Sequence, residues 1–181
     1  MARIARYRVL IYSKNGLVDV NDIASKLGVN SSTVRKYLKL LEKEGLVEKI
    51  ETNTYRLTPR GLNYIEFIKK LSIKKEAPPY VVTDPVRGDP LQLKISSYEQ
   101  LYAIIEYELV PREVIDEHIR RGFLAIWVKD GIGDQFLYEL LTTGKITSSS
   151  ELKKYLEDTI SLVKEVEFIS KEERTKWGRS L

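Results

Sequence analysis

Positive side chains recur at helical spacing between residues 31 and 44. A helix repeats about every 3.6 residues, so Val34, Leu38 and Leu41 lie on one face and the basic residues gather on the opposite face. Such a face suits duplex DNA, because lysines bind phosphates and an arginine can bond guanine O6 and N7 together. Arg35 is therefore the first candidate for base reading. The predicted DNA-contacting residues of this helix are Ser31, Ser32, Arg35, Lys36, Lys39 and Lys43.

The segment that holds this basic helix has the layout of a helix-turn-helix. Residues 21–27 predict a first short helix, and Gly28 can adopt the positive φ that ends it. Asn30 or Ser31 can cap the start of the second helix. We expect the second helix to be the recognition helix, whose first residues face base edges in the major groove.

A small β-hairpin is predicted after the helix-turn-helix. Residues 46–50 and 54–57 read as two short strands around a turn at Thr52 and Asn53, and Thr58-Pro59 then begins a helix that runs to about Lys74. This is the element order of a winged helix. The wing residues predicted to contact DNA are Lys49, Asn53 and Arg56, although the tip itself carries no arginine or lysine.

The string LxxLEKEGLVEK…YRLTPRGL, from Leu38 to Leu62, resembles prokaryotic winged helix-turn-helix transcriptional regulators. This group includes the MarR-like and ArsR-like repressors and many archaeal regulators. The resemblance covers residues 1 to about 75 and implies DNA reading from the corresponding helix positions. An archaeal, thermophilic source is expected from the resemblance and from a composition rich in Lys, Glu, Ile and Tyr.

The helix after the wing has a wide apolar arc, which suggests a partner surface. In MarR-like regulators, helices outside the reading motif form the dimer, so the resemblance implies a homodimer matched to a palindromic site. The alternative is that the second half of the chain folds back and buries the arc. The predicted interface residues are Tyr64, Phe67, Ile68 and Leu71.

Charge divides unevenly between the two halves of the chain. Residues 1–75 contain 16 Lys and Arg against 7 Asp and Glu, whereas residues 76–181 contain 14 against 19. A duplex attracts the basic half through phosphate contacts and counterion release, and it repels the acidic half. Double-stranded DNA is therefore the expected partner of the first half.

The predicted fold class is mainly α with a small β-hairpin wing: a winged helix-turn-helix followed by a second, mostly helical domain. Four of the six prolines lie between Pro78 and Pro90, which predicts a proline-rich linker at 76–92 after a DNA-binding domain at 1–75. An acidic helical domain is expected at 93–170 and a loose polar tail at 171–181. The second half resembles a helical domain of unknown function, and we expect it to dimerise, sense a signal or bind a protein partner.

Several function classes are disfavoured by inspection. The chain lacks cysteine, so disulfides, thiolate metal sites and cysteine nucleophiles are excluded. His118 is the only histidine and its acidic neighbours are poorly spaced, which argues against a metal or acid–base site, and Gly131 to Gly133 lacks the lysine of a phosphate loop. We expect no enzyme activity, no cofactor and no metal. The absence of an apolar run or signal peptide predicts a cytoplasmic, nucleoid-associated protein.

These observations predict a DNA-binding transcriptional regulator that reads the major groove with residues 31–44 and contacts the backbone with the wing. The alternative is a chromatin-architectural or protein-interaction protein that uses its winged helix without reading a specific sequence. The two differ in specificity, because a regulator should lose its own site selectively when Arg35 is removed.

Overall fold

The computed structural model describes residues 2–73 and 76–178 of the 181-residue chain. It is mainly helical, in agreement with the predicted fold class. The helices are α1 (Ala2–Ile11), α2 (Val20–Leu27), α3 (Ser31–Lys43), α4 (Pro59–Ser72), α5 (Tyr98–Glu106), α6 (Arg112–Arg120), α7 (Phe123–Trp127), α8 (Gln135–Thr142) and α9 (Ser149–Gly178). The strands are β1 (Leu17–Asp19), β2 (Val47–Lys49), β3 (Thr54–Leu57), β4 (Tyr80–Thr83) and β5 (Pro90–Ile95).

The chain divides into two compact units. The first unit holds the residues up to Ile73 together with those from Ser161 onward, and the second unit holds Lys74–Ile160. The division differs from the predicted domain ranges, because the later part of α9 belongs with the winged helix-turn-helix. Sequence periodicity could not reveal this, since it reports the apolar face of a helix and not its partner.

A three-stranded antiparallel sheet forms the wing of the first unit. Its strand order is β1-β3-β2, so the short segment before α2 adds a strand that the sequence analysis did not predict. Tyr55 and Leu57 point into the core while Arg56 between them is exposed, as the two-residue period of a strand requires. The hairpin is thereby held on both sides of β3.

The start of α4 is fixed by its cap and by a close backbone approach. Thr58 accepts a hydrogen bond from Gly61 N at 3.1 Å, with Pro59 in the first turn, which confirms the predicted helix start. A Cβ at Gly61 would lie 2.1 Å from the carbonyl oxygen of Leu46, so only glycine allows this approach. The helix ends at Ser72. Its predicted end, Lys74, lies outside the described residues.

The second unit begins with a β-hairpin where the sequence predicted a linker. β4 pairs antiparallel with β5, and Val82 and Ile95 are fully buried. The prolines are compatible with this pairing because Pro90 is the first residue of its strand, a position that tolerates the missing N–H. Residues 76–92 therefore contain no helix, as expected, but most of the segment belongs to the hairpin.

The apolar segment from Phe123 to Lys129, whose residue types suit a strand or a helix, is helical. It forms α7 and then continues into a π-helical turn, Val128–Ile132, which Gly133 ends with φ of 81°. Gly131 lies in that turn with the Trp127 ring against it, so this glycine pair ends a helix instead of holding a phosphate.

The last helix is longer than predicted. α9 continues beyond the predicted domain end at residue 170 to Gly178, so the loose tail predicted from residue 171 is helical over its described part. The physical reason is propensity, since this stretch is rich in Lys, Glu and Arg and contains no glycine or proline before Gly178. The remaining residues of the predicted tail, 179–181, lie outside the described residues.

Among the residues that the structure describes, none of the helices combines the length and the apolarity that a membrane span requires.

Candidate nucleic-acid interface

The helix-turn-helix is built from two capped helices. Asp19 caps α2 by accepting hydrogen bonds from Asn21 N and Asp22 N, both at 2.9 Å. Gly28 has φ of 63° and ends that helix, which confirms its predicted left-handed conformation. Asn30 takes the cap position of α3, although its side chain makes no capping hydrogen bond.

The inner face of α3 anchors this helix in the first unit. Val34, Leu38 and Leu41 are all fully buried, at the positions that the helical period predicts. The outward residues Ser32, Lys36, Lys39 and Lys43 are exposed. Burial of one side thus fixes the direction in which the other side presents its charges. Three lysines at spacings of three and four residues form a continuous positive stripe on that outer side.

Ser31 is half-buried and serves the turn itself. Its hydroxyl donates to Asn21 Oδ1 at 3.0 Å, which ties the start of α3 to the start of α2. A DNA contact from Ser31 would therefore share its hydroxyl oxygen with this internal hydrogen bond.

The wing strands present two of the predicted cations to solvent. Lys49 and Arg56 are exposed, and Arg56 Nη1 lies 3.6 Å from Glu48 Oε1 across the β2–β3 pair. Such an exposed pair contributes little to stability, so Arg56 can exchange the carboxylate for a phosphate at small cost.

Arg35 and Asn53, predicted as separate DNA contacts, are hydrogen-bonded to each other. Arg35 Nη2 donates to Asn53 Oδ1 at 2.9 Å, and both residues are half-buried. The backbone carbonyl of Asn53 also accepts from Val20 N at 2.9 Å. The recognition helix, the wing and the start of α2 therefore meet at this residue.

Two arginines of α1 are paired with carboxylates inside the first unit. Arg6 Nη2 lies 2.6 Å from Glu44 Oε1, and Arg8 Nε lies 2.7 Å from Glu165 Oε2 on α9. Tyr12 adds a hydrogen bond to the same Glu165 at 2.8 Å. These pairs connect α1 with α3 and with the later part of α9, so they have a structural role in this unit.

The apolar arc of α4 is covered in part by its own chain. Tyr64 and Ile68 are 5% and 1% exposed, and the Tyr64 ring lies 5.3 Å from that of Tyr7 on α1. Phe67 and Leu71 are half-buried at the edge of the same face. Of the four predicted interface residues, Tyr64 and Ile68 are thus filled positions of the core, and the surface that remains for a partner centres on Phe67 and Leu71.

A buried carboxyl in the second unit has its hydrogen bonds satisfied. Asp134 is fully buried and accepts from the hydroxyls of Tyr98 at 2.8 Å and Tyr155 at 2.7 Å, and from Leu137 N at 2.9 Å as the cap of α8. Burial raises the pKa of this carboxyl, and the hydrogen bonds oppose that rise. Asp134 therefore joins α5, α8 and α9 through one side chain.

His118 is buried and hydrogen-bonded within the second unit. It is 3% exposed, its Nδ1 accepts from the Tyr80 hydroxyl, and its Nε2 lies 2.9 Å from the carbonyl oxygen of Thr83. Burial raises the pKa of Tyr80, so that hydroxyl keeps its proton and donates. No group of three or more potential metal ligands occurs in the described part of the chain.

The aromatic residues of the second unit differ in exposure. Tyr155 is buried, and so is Trp127, whose indole N–H donates to the carbonyl oxygen of Pro78 at 2.8 Å. Tyr107 is 73% exposed because it follows the last turn of α5.

Residues 2–71 match the family model described as the N-terminal domain of the methanogenesis regulatory protein FilR1. A curated relative, the HTH-type transcriptional regulator LrpA of Pyrococcus horikoshii, is 39% identical over 54 residues, or 30% of this chain and 36% of LrpA. The chain therefore spans about a third of the length of that relative. Both similarities are to regulators, and the family match covers the helix-turn-helix and the wing. The first part of the chain is thus similar to domains of transcriptional regulators.

Solved structures similar to this chain include two of the transcriptional regulator PadR from Bacillus subtilis. One is 19% identical and covers 91% of this chain and 99% of PadR, with a TM-score of 0.32. The other, a complex with p-coumaric acid, is 16% identical over the same shares, again with a TM-score of 0.32. Similarity at this level says nothing about ligands of the present chain.

Three features of the first unit were not predicted from the sequence. These are the third wing strand, the hydrogen bond between Arg35 and Asn53, and the ion pair that brings Glu165 to α1. The strand had a weak signal in the apolar positions Val18 and Val20 around Asp19. The two side-chain contacts had none, because they join residues far apart in the sequence.

Proposed function

We propose that this protein is a DNA-binding transcriptional regulator that reads the major groove with α3 and contacts the backbone with its wing. One observation carries the proposal: α3 buries its apolar side completely and turns Ser32, Lys36, Lys39 and Lys43 outward. A helix held in this way can enter the groove without disturbing the core. Arg35 is the base-reading residue of the proposal, and the lysines bind phosphate.

The wing contributes backbone contacts through Lys49 and Arg56. Both are exposed on strands that flank the tip, and the tip offers threonines and Asn53 but no basic side chain. A wing of this composition suits phosphate contacts better than insertion into the minor groove, where arginine is the usual reader. The proposal places the protein in the cytoplasm with the nucleoid.

Selection of genomic fragments by the purified full-length protein at near-physiological salt tests this function. A recurrent motif near promoters is expected, and Arg35→Ala should lose that motif while keeping its weak affinity for random duplex. Retention of DNA without any motif would favour an architectural protein, and no retention at all would leave a protein-interaction role. Either of these two results would overturn the proposal.

We further propose that the protein acts as a homodimer through α4. Phe67 and Leu71 are four residues apart, so they lie on one side of the helix at the edge of its buried face. A two-fold dimer would double the contacts with a palindromic site. The second unit, with its excess of acidic residues, is then free to bind a signal or a protein partner.

Sedimentation measurements over a range of concentrations test the dimer. Phe67→Lys should lower the mass from dimer to monomer, because it places a charge in the proposed contact. Leu62→Lys is the matched control, since Leu62 is 45% exposed on the opposite side of the same helix. A wild-type protein that remains monomeric and still selects palindromes would refute the dimer.

A further inference from the structure

Asn53 is held at two points by other elements of the first unit. Its side-chain oxygen accepts from Arg35 Nη2 at 2.9 Å, and its backbone oxygen accepts from Val20 N at 2.9 Å. Asp19, next to Val20, pairs with Thr54 in the sheet. The residue is thus fixed by its backbone to the start of α2 and by its side chain to α3.

The hydrogen bond to Asn53 constrains a side chain that otherwise has many rotamers. A free arginine loses much of this freedom when it binds a base edge, and that loss lowers affinity. Arg35 is already held at one Nη2 hydrogen before DNA arrives. A guanidinium has five donors, so enough remain for a two-bond contact with guanine.

The surroundings of Arg35 restrict it further. Tyr55, in the neighbouring wing strand, is 3% exposed, and Arg35 itself is half-buried. The half-buried position of Arg35 and its hydrogen bond to the Asn53 oxygen together restrict where the guanidinium can point. A shift of this group by a rotamer change would place its donors out of reach of the same base pair.

We propose that Asn53 is a positioning residue that acts through Arg35: it sets the guanidinium for base reading before the protein meets DNA. The inference rests on the proposed DNA-binding function and replaces the direct contact that the sequence predicted for Asn53. The wing accordingly has two roles, with Lys49 and Arg56 touching the backbone and Asn53 supporting the recognition helix.

A double-mutant cycle tests the coupling. The probes are the duplex most enriched by the wild-type protein from a random 30-base-pair library and the unselected library itself. Asn53→Ala should weaken binding to the enriched duplex by about two- to tenfold, the range expected for freeing one ordered side chain. In an Arg35→Ala background the same change should have no further effect, because the residue that it positions is absent.

Two variants separate positioning from direct contact. Asn53→Asp keeps the acceptor oxygen, so it should retain the base preference that Arg35→Ala abolishes, while its negative charge lowers affinity for both probes alike. Thr52→Ala is the matched control, because Thr52 is exposed on the same turn and should leave the preference unchanged. Thermal unfolding of each variant establishes that the wing is folded.

The outcomes distinguish this inference from the proposed function. If the wild-type protein enriches no sequence, both fail together. A second outcome is that the wild-type protein enriches a motif while Asn53→Ala lowers affinity equally with and without Arg35→Ala. In that case Asn53 contacts DNA by itself, and only the positioning role is overturned. Loss of the base preference in Asn53→Asp would overturn it equally.

Discussion

The two units place their ionisable side chains in opposite ways. In the first unit Lys36, Lys39 and Lys43 project from a helix whose other face is buried, whereas in the second unit Asp134 and His118 are enclosed and fully hydrogen-bonded. Charge at the surface is available to a partner, and a polar group inside is committed to the fold. The difference indicates that the buried carboxyl and imidazole hold the second unit together, whereas the lysine stripe is the surface on which the proposed DNA binding depends.

The largest expected effect is on the stability of the second unit, at the buried Asp134. Asp134→Ala should lower the free energy of unfolding by about 3 kcal/mol, because two buried hydroxyls lose their acceptor and α8 loses its cap. Urea unfolding followed by circular dichroism measures the change. Asp130→Ala, at an exposed aspartate of the π-helical turn, is the control and should be nearly neutral. Equal stability of the two variants would contradict the structural role of Asp134.

The next effect concerns base reading on the exposed side. Arg35→Ala should cost about 1–3 kcal/mol of discrimination at one base pair and leave binding to random duplex little changed. Competition binding against duplexes that vary a single base pair measures it. Arg112→Ala, in the second unit, should leave discrimination intact. A uniform loss across all sequences would instead assign Arg35 to phosphate.

A smaller effect is expected from the stripe of lysines. Lys39→Ala should reduce the slope of log affinity against log salt concentration by about 1, because one phosphate contact and its released counterion are lost. Titration at several salt concentrations gives the slope. Lys145→Ala is the matched change at an exposed lysine of the second unit, and its slope should equal that of the wild type. Identical slopes for all three proteins would remove Lys39 from the interface.

The smallest expected effect is a change in how the free energy of unfolding depends on pH. Burial raises the pKa of Asp134 above the ordinary value of about 3.9, so the folded protein keeps this proton to higher pH than the unfolded chain. Its contribution to stability is therefore complete below about pH 4 and is lost as the pH rises through the folded-state pKa. Asp134→Asn cannot titrate, and its unfolding free energy should vary less between pH 4 and pH 8. Parallel curves for the two proteins would show that Asp134 does not titrate in this range.

Local sequence signals predicted the winged helix-turn-helix well. The helical period of Val34, Leu38 and Leu41, the positive φ of Gly28, and the Thr58-Pro59 helix start all appear in the structure. Each depends on a few neighbouring residues, so one sequence suffices to find it. The hairpin of β4 and β5 was not predicted, because its prolines were interpreted as the mark of a linker. A proline at the end of a strand is nevertheless compatible with pairing.

Predictions that depended on what covers a surface were less successful. The arc on α4 looked open from its sequence, yet Tyr64 packs against Tyr7 and Ile68 is buried. An apolar face signals that something will cover it, but not whether the cover is the same chain or another. Phe67 and Leu71 therefore carry the dimer hypothesis alone.

The sequence by itself determined the order of the elements from α2 to α4, the polarity of α3 and the concentration of positive charge in the first 75 residues. These follow from periodicity, caps and composition, all of which are local or additive. The tertiary structure alone decided that Arg35 meets Asn53, 18 residues away, and that Asp134 receives Tyr98 and Tyr155 from two other helices. Such contacts depend on how distant elements pack, and packing is set by the whole core and not by any one segment.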